Sequence, residues 1–166
     1  TIQWNKMNEY KKLFRSFIYA FQGIGYVIKH ERNFRIHLSC IIYMFSILLF
    51  SDWFTLTRTD YAVLLITSAL VLSLEIVNTA VENAVNLYGE EHTKFGKIAK
   101  DAGAGAVLIA AIFAVLTGIA ILLQPDAFMN MYVYFKGNPL MFVVFVLSII
   151  PMTLFIFWGN PFNKRK

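Results

Sequence analysis

Between residues 8 and 30 apolar side chains recur at helical spacing: Leu13, Phe14, Phe17, Ile18, Phe21, Ile24, Gly25 and Ile28. Lys11, Lys12, Arg15, Gln22 and Lys29 fall largely on the other side. That pattern predicts an amphipathic helix lying in a membrane interface, basic side toward headgroups. Four long apolar runs follow. The first, 36–50, is short, but Trp53 and Phe54 extend it to 36–54 as interfacial anchors. The others run over 61–87, 101–123 and 140–158. Polar stretches at 51–60, 89–100 and 124–139 read as connecting loops. Pro151 interrupts the last run, as membrane helices tolerate. The expected fold is an all-α integral membrane domain over 1–166: a surface helix, three core spans and an additional fourth span.

Composition agrees. Of 166 residues 58% are hydrophobic, with 16% aromatic, more than a soluble domain of this size carries. The opening stretch, Gln3-Trp4-Asn5-Lys6, is polar and basic and does not read as a secretory leader. Cys40 is the single cysteine, so no disulfide closes within the chain. The net charge of +5 suggests nucleic acid until the cations are placed. Seven Lys and Arg precede residue 36, three lie in 89–100 and three in the tail, whereas Arg58 and Lys136 stand singly in the other loops. With four spans, 13 of the 15 fall on one side, which the positive-inside rule makes cytoplasmic, together with both termini. The charge thus reports membrane orientation rather than a nucleic-acid partner.

The chemistry-bearing positions gather at that face. Glu75, Asn78, Thr79 and Glu82 stand at i, i+3, i+4 and i+7, on one side of a helix. The two carboxylates lie about 10 Å apart along it, too far to share a proton and suited to two jobs. An ionisable residue in a span is expensive and marks a functional site by default. The competing reading is an interhelical lock made by the same carboxylates. Glu31, in the polar knot 30–37, and the Lys100-Asp101 pair arrive at the same surface. Glu31 and Glu82 suit Mg²⁺, which takes a few carboxylates plus phosphate oxygens and water. Lys100, with Lys12 or Arg15, suits phosphate charge. Glu75, two turns deeper, suits removal of a proton from a lipid hydroxyl. No phosphate-binding G-x-x-x-x-G-K-[ST] loop or protein-kinase catalytic loop is present. His30, His37 and His92 lack metal-ligand spacing.

Three stretches carry a resemblance. Glu75-Ile76-Val77-Asn78-Thr79-Ala80-Val81-Glu82 resembles the E-x-x-N-[ST]-A-x-E signature of the small prokaryotic diacylglycerol kinases. Ala99-Lys100-Asp101 resembles that family's A-K-D segment, and Glu31-x-x-Phe34-Arg35 its E-x-x-[FA]-R juncture. Order and spacing agree over about residues 10 to 123. The resemblance implies a membrane lipid kinase of the cell membrane using Mg-ATP on the cytoplasmic side, a homotrimer with active sites between subunits. It implies Glu75 as general base, Glu31 and Glu82 as metal ligands, Lys100 and Asp101 on the nucleotide, and Glu91 and His92 in a loop that covers it. Lys12 and Tyr19 match surface-helix positions that reach ATP; the family more often has Arg at the former, a role Arg15 could take. Asn78 would support the site.

One branch of the family phosphorylates diacylglycerol and the other undecaprenol. Ser16-Phe17-x-Tyr19-Ala20-x-x-Gly23-Ile24, followed by Glu31-x-Asn33-x-Arg35-Ile36-His37, looks like the Gram-positive branch, mainly undecaprenol kinase. Two departures stand out: Asn86 replaces the usual Asp, and 124–166 exceed the three-span core. Outside the kinase reading stand a small transporter lined by Glu75 and Glu82, and an inactive assembly partner supported by Asn86. A transport path needs polar groups through the full depth, yet 62–72 offer only Thr67 and Ser68.

Overall fold

The computed structural model describes residues 2–89 and 93–158, with side chains from residue 9 onward. Six helices make up the described chain: α1 (Ile2–His30), α2 (Arg32–Phe50), α3 (Arg58–Leu87), α4 (Lys94–Leu122), α5 (Pro125–Gly137) and α6 (Pro139–Phe157), with no strand among the described residues. Of these, α2, α3, α4 and α6 are long and apolar enough to cross a membrane. They alternate in direction. One end of the bundle carries Glu31, the end of α3, the start of α4 and the end of α6; the other carries the α2–α3 loop and α5.

α1 is the expected amphipathic helix, beginning six residues earlier than the periodicity predicts. Every side chain from Glu9 to Tyr26 is exposed, including Phe14, Phe17 and Phe21. The helix meets the bundle near its end, where Val27 is buried. Glu31, in extended conformation, forms the elbow into α2. Arg35 then turns back on it. Its guanidinium donates to the carbonyls of Ile28 (2.9 Å) and Lys29 (3.1 Å) in the last turn of α1, and to Ile156 near the end of α6 (3.1 Å). Helix C-termini leave carbonyls unpaired and favour a cation, so one buried Arg ties three helices. Arg35→Leu is therefore expected to cost about 3 kcal/mol, the range for hydrogen bonds to a charged group. The check is thermal unfolding in detergent together with proteolysis, with new cleavage at the elbow; an unchanged midpoint and cleavage pattern would remove this role.

α3 starts on a capping box. Thr57 Oγ1 accepts from the Asp60 amide (3.2 Å) and Asp60 Oδ2 accepts from the Thr57 amide (2.8 Å). It stops at Gly89, whose φ of +67° is the left-handed conformation that glycine adopts without strain. Thr93 caps α4 by accepting from the Gly96 amide (3.0 Å). The charged stretch expected as a loop over 89–100 is consequently mostly helix, and the third span opens seven residues before 101. The first span likewise begins at Arg32 and ends at Phe50, leaving Trp53 and Phe54 in the turn.

The predicted loop over 124–139 is overturned. Pro125 at the first helical position, Asp126 in the first turn and Lys136 in the last build α5 instead. At about 1.5 Å per residue it is roughly 20 Å long, too short to span. Trp53 packs on Tyr134 and Phe135, Phe54 on Phe128, and Phe135 on Phe142 and Phe145 of α6. This aromatic belt is what a membrane–water boundary favours. The Gln124 amide bonds both ways with the Thr55 backbone, tying the two loops at this end together. α6 continues through Pro151 without a break and leans on α2, where Tyr43 donates to Ser148 Oγ (2.7 Å). It has no buried residue, so its surface is left for lipid or another chain.

Candidate active site

The α3–α4 hairpin forms the core of the site. On α3, Glu75 and Thr79 point inward and are buried, with Glu75 only 4% exposed. The Thr79 hydroxyl is spent on the Glu75 carbonyl (3.0 Å), a local bond that leaves the carboxylate to others. His37 of α2 takes that place: its Nε2 lies 3.4 Å from Glu75 Oε1. A carboxylate accepts but does not donate, so a hydrogen bond across this contact requires the proton on the facing nitrogen. One turn on, Asn78 Nδ2 donates to Glu82 Oε1 (3.1 Å). Asn78 Oδ1 is buried, has no hydrogen-bond partner among the described residues, and rests against Gly103 of α4. A Cβ at Gly103 would lie 2.5 Å from that oxygen, so only glycine lets α4 approach here without displacing the amide.

Gly103 stands three residues after Lys100, so this close approach brings the turn holding Lys100 and Asp101 against the turn holding Asn78 and Glu82. Lys100 is half-buried and Asp101 exposed. Glu31 sits half-buried at the elbow, within electrostatic range of Arg35. Asn86, one turn beyond Glu82, is half-buried, and its Oδ1 has no hydrogen-bond partner among the described residues. Lys12, Arg15 and Tyr19 are exposed on α1; Lys12 pairs with Glu9 of its own helix (3.6 Å). No hydrogen bond or ion pair among the described residues ties these three to α3 or α4. Glu91 and His92 lie outside the described residues. No cluster of three or more His, Cys, Asp or Glu that could hold a metal occurs among the described residues. Glu82 Oε1 accepts from Asn78 Nδ2. This donor set fits an ion that takes one or two carboxylates and completes its shell with phosphate oxygens and water, as Mg²⁺ does.

Two residues of this arrangement were not singled out from the sequence, His37 and Gly103. In the sequence His37 appears as an isolated histidine and as the end of the branch-specific stretch, and its partnership with Glu75 across helices leaves no mark in local spacing. Gly103 lies in a run of small residues, Ala102 to Ala106, that suits close helix approach in lipid but names no contact.

The prokaryotic diacylglycerol kinase family profile matches residues 18–122, from the second half of α1 to the end of α4. The chain belongs to that family. A diacylglycerol kinase of Synechocystis is 43% identical over 111 residues, 66% of this chain and 62% of that protein's own length. An undecaprenol kinase of Bacillus subtilis is 33% identical over 116 residues, covering 70% of this chain and 92% of its own. A diacylglycerol kinase of Escherichia coli is 33% identical over 114 residues, 68% and 90% of the two lengths. No solved structure matches. Membership places the chain among membrane-embedded lipid kinases, phosphotransferases with an alcohol group as acceptor. α5 and α6 lie beyond the matched region.

Proposed function

We propose that this prokaryotic diacylglycerol kinase family member transfers the γ-phosphoryl group of ATP to the hydroxyl of undecaprenol. The lipid oxygen forms the new bond to phosphorus, ADP leaves, and the hydroxyl proton passes to the Glu75 carboxylate. The observation that carries the reading is Glu75 itself, a carboxylate buried in a span and held by one neighbouring histidine. Phosphoryl transfer is mostly positioning and charge stabilisation, and the two depths of the α3 face divide that work. Glu75 serves the acceptor. Glu82 and Glu31 serve a Mg²⁺ ion, which when bound neutralises phosphate charge. Lys100 and Asp101 serve the nucleotide, a role the family resemblance extends to Glu91 and His92.

A homotrimer is supported by what a single copy leaves open. The α1 face bearing Lys12, Arg15 and Tyr19 has no partner on α3 or α4 among the described residues, and its aromatic side chains are exposed. A site between subunits would bring that face to a neighbour's α3 and α4. The concentration of cations at the Glu82 end favours a cytoplasmic active site with both termini on that side, in the cell membrane.

Undecaprenol as acceptor rests on the stretch from Ser16 to His37. Diacylglycerol is favoured by the Synechocystis relative, the more similar of the two. Radiolabelled ATP with the purified protein in mixed micelles, offering the two lipids separately and in competition, decides between them. The expected result is preferential labelling of undecaprenol. Preferential labelling of diacylglycerol keeps the chemistry and overturns the acceptor. Labelling of neither by folded protein with Mg²⁺ would favour an inactive assembly partner and make Asn86→Asp the next variant.

A further inference from the structure

We infer that His37 is the positioning residue of the acceptor side of the site: its imidazole holds the Glu75 carboxylate in place and turns the second carboxylate oxygen toward the incoming lipid hydroxyl. The inference rests on Glu75 acting as proposed above. Three observations carry it. First, Glu75 is nearly inaccessible, and a buried carboxylate is costly unless a donor satisfies it. Among the described residues His37 is the side chain that comes within ion-pair range of it, Nε2 to Oε1 at 3.4 Å. Second, the other polar groups on that face are engaged elsewhere. Thr79 bonds the Glu75 carbonyl and Asn78 bonds Glu82, so neither can aim the carboxylate. Third, His37 is itself about a quarter exposed, and it lines the groove between α2, α3 and α4. That groove, of about 310 Å³, continues along Cys40, Met44, Ser68, Ala114 and Gly118. The imidazole therefore stands between a largely apolar groove and the buried carboxylate, where its contact with Oε1 leaves Oε2 as the oxygen able to take a proton.

His37→Leu removes the donor and keeps an apolar side chain of similar reach; His37→Gln restores a donor. In the lipid kinase assay His37→Leu is expected to lower kcat about 10- to 100-fold, the usual loss when an orienting partner is removed, with the KM for Mg-ATP unchanged. His37→Gln should recover most of that loss, which a merely structural role would not require. Equal kcat in wild type and His37→Leu would overturn the inference, as would a loss that Gln does not repair. A second measurement does not depend on turnover. The ¹⁵N signals of the His37 imidazole, recorded in micelles, should shift on Glu75→Gln; unchanged signals would overturn the pairing. If the wild-type protein labels neither lipid, the functional proposal falls and the imidazole signals alone decide whether His37 holds Glu75.

Discussion

Glu75→Gln is expected to abolish phosphoryl transfer while leaving Mg-ATP binding close to normal. The substitution suits its purpose because it disturbs the surroundings little. Gln has nearly the size of Glu, and its amide oxygen can still accept from His37 Nε2, which now faces Oε1 at 3.4 Å. Thr79 bonds the main-chain carbonyl of residue 75, which the substitution does not touch. What disappears is the basic oxygen. Loss of a positioned general base costs about 10²- to 10⁴-fold in rate. Glu82, two turns away, keeps its bond from Asn78, so nucleotide binding should persist. Single-turnover transfer to lipid at saturating Mg-ATP, with nucleotide binding measured on the same sample, separates the two effects. Turnover within tenfold of wild type would remove Glu75 as the base. Parallel loss of binding and turnover would instead make it part of the nucleotide site.

Much of this was legible in the sequence because a membrane simplifies the code. Apolar runs of span length and the period of α1 fix the kind and number of the long helices, since backbone polar groups in lipid must be satisfied within the helix. The ends were less legible. Helices run on past their apolar stretch when a cap is available, and Thr93 starts α4 seven residues before the polar stretch gives way. Likewise Arg32 and Arg35 are charged yet helical, because Arg35 spends its guanidinium on carbonyls of α1 and α6. α5 was missed because thirteen residues of mixed aromatic and polar character look like a loop to any window tuned to spans. The site divides the same way. Glu75, Asn78, Thr79 and Glu82 could be placed on one face from spacing alone, and Glu75 and Thr79 are indeed the buried pair. Contacts between helices could not: neither the histidine that reaches Glu75 nor the glycine that seats Asn78 follows from periodicity. The additional span is also more than an appendage. Through Tyr43–Ser148 and Arg35–Ile156, α6 is bonded to the helix that carries His37.

The nucleotide side of the site makes the second large prediction, and Gly103 allows it to be tested without touching a charged residue. Glu82→Gln is expected to raise the KM for Mg-ATP roughly 30- to 150-fold. That corresponds to losing about 2–3 kcal/mol, the scale of a charge-assisted contact. The Mg²⁺ dependence should shift to higher concentration with it; an unchanged Mg²⁺ requirement would count against Glu82 as a ligand. Gly103→Ala should produce a weaker copy of the same phenotype, about tenfold. Its Cβ would fall 2.5 Å from Asn78 Oδ1 but 3.8 Å from the Asn78 Cα, an ordinary contact. The helices can therefore stay packed while the amide must swing, and the bond from Nδ2 that orients Glu82 goes with it. Alanine also favours helix over glycine, so the variant should unfold no earlier than wild type. Gly105→Ala is the control, because nothing lies within 4 Å of a Cβ there. A rise in KM for Gly103→Ala but not Gly105→Ala, at equal thermal stability, would tie nucleotide affinity to the seat of one amide. Equal effects at both positions would mean that the loss does not come from the Asn78 contact, and the role assigned to Asn78 would fall.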